Sequence, residues 1–335
     1  MDSVTQFALG AAVAGVALGT QVRPWRAVWV GGVVATLPDL DVLVDFGDPI
    51  ADMTMHRADT HSLLWLTLAA VPLAWLLRCL WPAVGPWRRG LAVWLILVTH
   101  VLIDWLTIYG TQWLLPFSSH AYGLGSQFVI DPLFTLPLLV GLLGLLVSPR
   151  RGPWWNGLGL TLCCAYGVWG ASAQQYAQAH IADALTNRGV QFERLVVTAA
   201  PLQTLLWRGI AVAEDRWYEV HWSMCDDATP PAVATFPRGA QLERELAAHP
   251  RVRQLGAFAN GMVRYEEDAE GVRVADLRMG QEPYFPFDFL VATRTVDGTL
   301  QFVEPTRQVA KRVPIGAGLR WLWARMWGDR DAPVR

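Results

Sequence analysis

The chain has 335 residues, of which 53% are hydrophobic and 17% are charged, and its mean hydropathy is +0.27. About a quarter of the residues in soluble proteins are charged, so this composition excludes an ordinary soluble protein and indicates membrane helices. The formal net charge of -2 gives no sign of a nucleic-acid partner. The four cysteines have neither metal-ligand nor disulfide-framework spacing, whereas the 18 tryptophans are typical of proteins anchored at membrane interfaces.

Six apolar runs occupy the first half of the chain. They lie at about 4–20, 27–44, 62–80, 90–108, 131–147 and 154–173. Several approach the length of about 20 residues that a helix needs to cross a bilayer. The sequence therefore predicts an α-helical polytopic membrane domain of about six helices over residues 1–175. Pro38 is expected to end or bend the second helix at its outer end.

Arginines lie in alternate loops of this domain. They follow the first, third and fifth apolar runs, whereas the loops at 45–61 and 109–130 contain only Arg57. By the positive-inside rule, the arginine-rich loops face the cytoplasm. The N-terminus and everything after the sixth run are therefore expected on the outer side of the membrane.

The composition changes near residue 174. Residues 176–189 are predicted to extend the sixth helix as a linker, and residues 190–310 alternate apolar and polar positions as β-strands do. We predict a soluble, mainly β extracytoplasmic domain with seven strands, one short helix at 239–248 and a hairpin turn at Asp297-Gly298. Residues 311–335 are predicted to form an interfacial amphipathic C-terminal tail, because tryptophans alternate there with arginines.

Three polar clusters interrupt the apolar sequence of the membrane domain. Asp39 and Asp41 follow Pro38, and His56 and His61 flank a short polar stretch before the third run. The third cluster pairs His100 with Asp104, and their spacing of four residues places both on one face of a helix. Each cluster alone has an ordinary explanation, namely a solvated helix end, a helix-entry loop or a buried His–Asp hydrogen bond.

Together the three clusters predict a metal site, because all lie at a similar depth and ionisable groups inside a membrane are usually functional. The predicted ligands are Asp39, Asp41, His56, His61, His100 and Asp104. Nitrogen and oxygen donors of this kind suit Zn²⁺, with Mn²⁺ or Fe as alternatives, and one or two ions. Additional candidate ligands are Asp2, Gln6 and Asp131.

Three more residues of the outer loops are candidates for catalysis. Arg57 suits an anionic substrate group, and Asp59 or Asp45 is placed to act as a base or to orient another residue.

The motifs together resemble the YdjM-like family. They are Met1-Asp2-Ser3-Val4-Thr5-Gln6, Pro38-Asp39-Leu40-Asp41, His56-Arg57-x-x-Thr60-His61-Ser62 and Thr99-His100-x-x-x-Asp104. The resemblance covers about residues 1–175 and implies a LexA-regulated, metal-dependent hydrolase of the bacterial inner membrane, with the six ligands above at its metal site. Many relatives have Thr-His where this chain has Thr5-Gln6. The His-x-x-x-Asp helix is more distantly similar to zinc-dependent phospholipase C and P1-type nucleases.

The sequence thus predicts a multi-pass hydrolase of the inner membrane that acts at the periplasmic leaflet by metal-activated water. The expected partners are membrane lipid and a lipid-like or phosphorylated small molecule, and the oligomeric state is left open. Two alternatives remain: a metal- or ion-binding transporter, and a non-catalytic envelope scaffold stabilised by metal.

Overall fold

The computed structural model describes residues 1–311, 313–330 and 332, and these divide into two compact units. The first unit contains Met1–Leu43, Arg57–Ala171 and Pro201–Gln203. The second contains Val44–His56, Ser172–Ala200 and the chain from Thr204 onward. The predicted tail at 311–335 includes residues 312, 331 and 333–335, which lie outside the described residues.

Ten α-helices form in the described part of the chain. They are α1 (Ser3–Leu18), α2 (Pro24–Thr36), α3 (Pro49–Met55), α4 (Leu63–Leu76), α5 (Pro86–Trp105), α6 (Pro132–Val147), α7 (Gly152–Thr186), α8 (Ala240–Leu246), α9 (Pro250–Phe258) and α10 (Ile315–Met326).

Fewer helices can cross a membrane than the six that the apolar runs predicted. Among the described residues, Ser3–Gln21 and α5 are long and apolar enough, and a third span results if the bent pair Pro49–His61 and Leu63–Cys79 is counted as one. Helices α2, α4 and α6 have only 13, 14 and 16 residues. At 1.5 Å per residue they are shorter than the bilayer core of about 30 Å. The structure therefore supports two to three apolar spans and not six.

Two glycines set the close packing of α1 on α2. A Cβ atom added to Gly10 would lie 2.2 Å from Ala35 Cβ and 2.7 Å from the carbonyl oxygen of Gly31. Only residues without a side chain allow two helix backbones to approach so closely. Helix α2 then ends at Thr36, and the residues Pro38–Leu43 form a 3₁₀ turn. The predicted break at Pro38 is therefore present, and it carries Asp39 and Asp41.

The second unit is mainly β, as predicted. Its strands are β1 (Arg194–Ala199), β2 (Leu206–Val212), β3 (Arg216–Ser223), β4 (Val233–Pro237), β5 (Val263–Asp268), β6 (Gly271–Asp276), β7 (Asp288–Arg294) and β8 (Leu300–Gln308). They form two four-stranded antiparallel sheets, β1-β2-β3-β4 and β5-β6-β7-β8.

The two faces of the first sheet have different partners, because successive side chains of a strand point to opposite faces. Trp207 and Ala211 of β2 pack with Ile181 and Leu185 in the last part of α7. Ile210 precedes Ala211 and points to the other face, where it belongs to a cluster that includes Ala275 of the second sheet. That cluster comprises Ile210, Val212, Trp217, Met262, Ala275, Leu277 and Phe285.

Each of the seven predicted strands overlaps an observed one, and the predicted helix at 239–248 is α8. The Asp-Gly turn joins β7 to β8: the N–H of Thr295 donates to the carbonyl of Thr299 at 2.9 Å, and Gly298 has a φ of +87°. Strand β4 and helix α9 were not predicted.

Candidate metal site

Four donor residues converge in the first unit. Asp39 lies on the 3₁₀ turn after α2, and His61 ends the 3₁₀ turn Asp59–His61 that precedes α4. His100 and Asp104 lie one turn apart on α5. One donor atom from each residue lies within 4.8 Å of the other three, so the cluster could bind a metal ion.

The distances between these donor atoms are close to those of a tetrahedral site. The Nε2 atoms of His61 and His100 are 3.0 Å apart. Asp39 Oδ1 lies 3.3 Å and 3.5 Å from these two atoms, and Asp104 Oδ2 lies 3.3 Å and 3.4 Å from them. Metal–ligand bonds of about 2.0–2.1 Å in a regular tetrahedron imply ligand–ligand distances of about 3.3–3.4 Å. The five distances from the imidazole nitrogens are therefore compatible with a metal ion bound between the four donors.

The two carboxylate oxygens that face the imidazoles have unmet bonding capacity. Asp39 Oδ1 and Asp104 Oδ2 are buried, and neither accepts a hydrogen bond from any described residue. Burying a carboxylate oxygen without a donor or a cation is costly. A metal ion between the four donors would satisfy both oxygens.

The two oxygens of Asp104 have different partners. Oδ1 lies 3.1 Å from Arg57 Nη2, accepts a hydrogen bond of 2.9 Å from Gln6 Nε2, and also contacts the α-amine of Met1. Oδ2 faces His61 and His100. The carboxylate is thus oriented by donors at one oxygen and presents the other to the site, which is how hydrogen bonds commonly orient metal ligands.

A chain of hydrogen bonds sets the tautomer of His61. The hydroxyl of Thr60 donates to Asp41 Oδ2 at 2.6 Å and lies 2.9 Å from His61 Nδ1. Since its single proton goes to Asp41, this hydroxyl can only accept a proton from Nδ1–H. The Nε2 atom of His61 is then left with its lone pair toward the cluster, as metal binding requires.

Arg57 contacts both Asp41 and Asp104, and its backbone conformation is unusual. Its φ is +64°, which is uncommon for a residue other than glycine. The backbone N–H donates to Asp41 Oδ2 at 3.0 Å, while the buried guanidinium reaches Asp104, the hydroxyl of Thr107 at 3.3 Å and the ring of Tyr109 at 4.9 Å. Its charge is therefore directed at a carboxylate of the cluster, and its predicted role in substrate binding stays a prediction.

Two of the six predicted ligands are outside the four-donor group. Asp41 Oδ2 is 3.8 Å from His61 Nδ1 and supports that ring rather than joining the group. His56 follows the last residue of α3, within the Val44–His56 segment of the second unit.

The remaining predicted residues have structural contacts of their own. Asp2 caps α1, and Asp131 caps α6 and accepts a hydrogen bond of 2.9 Å from the Tyr166 hydroxyl. Asp45 is exposed and accepts from the N–H of Gly47, and Asp59 is exposed at the start of its 3₁₀ turn. The catalytic assignments of Asp45 and Asp59 stay predictions.

The carboxyl group of aspartate ordinarily has a pKa of about 3.9. Asp39 is therefore ionised at neutral pH, which is the state that binds a cation.

Comparison with known proteins places this geometry in a family. The family described as YdjM inner membrane protein matches residues 1–178, which is more than half of the chain and includes all four donors. The chain belongs to the YdjM family. The resemblance inferred from the motifs is confirmed, and the family's inner-membrane description agrees with the apolar spans of the first unit.

Two curated relatives of this YdjM family member share part of their length with it. Inner membrane protein YbcI of Escherichia coli (strain K12) is 33% identical over 111 residues, which are 32% of this chain and 64% of YbcI. Uncharacterized protein YfhP of Bacillus subtilis (strain 168) is 28% identical over 138 residues, which are 39% of this chain and 42% of YfhP. The chain thus spans less than two thirds of either relative. No solved structure matches it.

Proposed function

We propose that this protein is a metal-dependent hydrolase of the inner membrane, with Asp39, His61, His100 and Asp104 holding one Zn²⁺ ion. The observation that carries the proposal is the convergence of four donor atoms within 4.8 Å of one another, two of which are buried carboxylate oxygens that accept no hydrogen bond from a described residue. Two imidazoles and two carboxylates are typical zinc ligands, and Mn²⁺ or Fe use similar donors.

The exposure of the four residues supports a catalytic role. The side chains of His61, His100 and Asp104 are fully buried, whereas that of Asp39 is 22% exposed. Catalytic zinc sites generally combine three protein ligands with one position open to water or substrate. A bound Zn²⁺ ion lowers the pKa of water to about 7 and polarises a phosphoryl or acyl oxygen. Asp39, at the exposed edge, is the ligand that would give up its position to a water molecule and then accept the proton of that water.

The substrate that we propose is a lipid-like or phosphorylated molecule. The donors lie in a unit that contains helices long and apolar enough to cross a membrane, so lipids would be the surrounding molecules. Divalent metal centres with nitrogen and oxygen donors commonly cleave phosphoester and acyl bonds. The guanidinium of Arg57 lies against Asp104 and is not counted here as a substrate-binding group. The proposed substrate class therefore follows from the metal chemistry alone.

We also propose that the chain crosses the membrane several times, with the metal site and the second unit on the periplasmic side. Support comes from the arginines near the two apolar spans: Arg23 and Arg26 follow Ser3–Gln21, Arg88 and Arg89 lie at the start of α5, and residues 106–130 after α5 contain neither Arg nor Lys.

A second candidate function is structural. Four protein donors can close a tetrahedral zinc site completely, and closed sites stabilise folds rather than catalyse reactions. The donors here come from the 3₁₀ turn after α2, the 3₁₀ turn before α4 and the C-terminal part of α5. An ion could therefore hold three segments together without any chemistry.

The test begins with the metal content of the detergent-purified full chain. We expect one ion per chain in the wild type, and its loss in His100→Ala and Asp104→Ala. His120→Ala is the matched control, because His120 is an exposed loop residue. Unchanged metal content in His100→Ala would overturn the site.

Asp39→Asn separates the two candidate functions. The hydrolase proposal predicts that this variant keeps its metal through the three buried ligands but loses metal-dependent cleavage of phospholipids or phosphodiesters. If the metal-loaded wild type cleaves none of these substrates and chelation lowers only the Tm, the structural role is correct.

A further inference from the structure

The outer face of α10 carries a continuous apolar stripe, which we define as Ile315, Leu319, Trp323 and Trp327. These residues are spaced four apart, so they lie along one side of the helix. Their exposed fractions are 79%, 49%, 64% and 55%. The rings of Trp323 and Trp327 meet edge to face with centroids 5.7 Å apart. The stripe is a large apolar surface facing away from its own unit.

The opposite side of α10 is fixed to the second unit. Trp321 and Met326 are buried, and the ring of Trp321 packs against His221 of β3. Arg325 reaches both carboxylate oxygens of Asp226 at 2.6 Å and 2.7 Å, and it donates to the carbonyl of His221 at 2.6 Å. Bidentate pairs of this kind are geometrically specific. The stripe is therefore presented by an anchored helix.

The sequence around the stripe is strongly basic, although the chain as a whole has a net charge of -2. Residues 311–330 contain five basic residues and a single acidic one, Asp329. The basic residues are Lys311, Arg312, Arg320, Arg325 and Arg330. Arg320 is exposed and directly follows Leu319 of the stripe. Arg325 and Arg330 pair with Asp226, so the exposed Lys311 and Arg320 supply the positive charge near the apolar surface.

We propose that the stripe inserts into the interface of an anionic phospholipid bilayer and holds the second unit on the membrane surface. Tryptophan is favoured at the headgroup level, and a helix with one apolar face and basic flanks lies in the plane of the interface. Exposed basic residues near an anionic surface add electrostatic attraction. The first unit contains helices long and apolar enough to cross a membrane. The same chain would therefore bring the stripe close to a bilayer.

The charges favour a bilayer over a second copy of the chain. A symmetric dimer would place identical surfaces in contact, and the basic residues bordering one stripe would then face those of the other. An anionic lipid surface instead supplies the opposite charge.

The test uses the full chain with its four native cysteines replaced, reconstituted in nanodiscs that contain phosphatidylglycerol. A single cysteine introduced by Leu319→Cys or Trp323→Cys carries an environment-sensitive fluorophore, and Thr299→Cys in the exposed β7–β8 turn is the matched control. We expect blue-shifted emission and several-fold stronger quenching by nitroxide lipids at 319 and 323 than at 299. Two positions are labelled so that damage from one substitution does not decide the result.

Charge dependence provides the second measurement. Replacing phosphatidylglycerol with phosphatidylcholine, or introducing Arg320→Glu, should reduce the quenching at position 319. Equal quenching at 319, 323 and 299 would overturn the proposal. Energy transfer between differently labelled copies without lipid quenching would also overturn it, and would identify the stripe as a contact between chains.

Discussion

Arg57 and Asp104 form a buried ion pair that occupies only one oxygen of the carboxylate. Arg57 Nη2 lies 3.1 Å from Oδ1, whereas Oδ2 lies 3.3 Å and 3.4 Å from the Nε2 atoms of His61 and His100. The guanidinium therefore compensates the buried charge and leaves a ligand atom available. The same residue fixes Asp41 through its backbone N–H. Arg57 thus supports both sides of the candidate metal site.

Arg57→Gln should weaken Zn²⁺ binding by roughly 10–100-fold, the usual loss on removing a residue that orients a metal ligand. The variant loses the charge beside Asp104 and the contact with Tyr109. Competition with a chromophoric chelator measures the affinity in detergent. Arg150→Gln, at an exposed position, is the control and should bind like the wild type. Equal affinities for the two variants would rule out a supporting role for Arg57.

Asp41→Asn and Thr60→Val should each weaken Zn²⁺ binding by about tenfold. Both remove the acceptor chain that fixes the tautomer of His61. Both substitutions break the same chain of hydrogen bonds. The double variant should therefore bind Zn²⁺ about as tightly as the weaker-binding single variant. Asp59→Asn, at an exposed position on the same 3₁₀ turn, is the control. Additive losses in the double variant would show that Asp41 and Thr60 act independently.

Gly10→Ala should lower stability by about 1–3 kcal/mol, the usual cost of overpacking. The new methyl group would lie 2.2 Å from Ala35 Cβ and force α1 away from α2. Because Gln6 lies one turn away and contacts Asp104, Zn²⁺ affinity should fall as well. Gly90→Ala is the matched control: no described atom lies within 4 Å of its added methyl group, and helix propensity should favour it by up to about 1 kcal/mol. Thermal unfolding with and without Zn²⁺ measures the stability of each variant and its stabilisation by the ion.

His221 should make stability depend on pH. Burial lowers its pKa to about 4, and nearby Arg208 and Arg325 act in the same direction while Glu219 opposes them. The unfolded chain, with a pKa near 6.5, binds a proton more readily than the folded one. Stability should therefore be full above pH 6.5 and fall as pH drops toward 4, by at most about 1.4 kcal/mol per pH unit.

The pH prediction is tested by comparing the apparent Tm of the wild type and His221→Gln from pH 7.5 to 5. The difference between the two curves isolates His221 from the histidines of the metal site. The variant should lose less stability on acidification. Parallel curves would contradict the assignment.

Short-range patterns explain what the sequence predicted about the fold. The strands of the second unit alternate apolar and polar residues, and Asp297-Gly298 matches the turn between β7 and β8. Strand β4 was missed because it is short, ends in Pro237 and is largely exposed at a sheet edge. Helix α9 was missed because its apolar face is narrow, although Pro250 at its first position was a usable start signal.

The membrane helices show the limit of counting apolar residues. Runs of apolar sequence include turns as well as helices, so the run at 27–44 became a helix of 13 residues followed by a 3₁₀ turn. Pro38 marked that boundary, but the length of the run concealed it.

Part of the candidate site was predictable and part was not. The spacing of His100 and Asp104 follows from helix geometry. Helix α3, which precedes His56, was not predicted, although Asp48 and Pro49 are recognisable start signals. The role of Arg57 depends on a positive φ and a contact between residues far apart in sequence, for which the sequence carries no local signal.

The donors of the site come from three separate stretches of chain, so they meet only when the helices that carry them are correctly assembled. Binding and assembly are then coupled, and an ion present at 100 times its Kd would add about 2.7 kcal/mol to the stability of the assembled state. If the ion is Zn²⁺, as proposed above, its supply would therefore influence how long the protein persists in the cell. Under zinc starvation, the loosened helices would become substrates for membrane proteases, and abundance would fall before any catalytic effect could be measured.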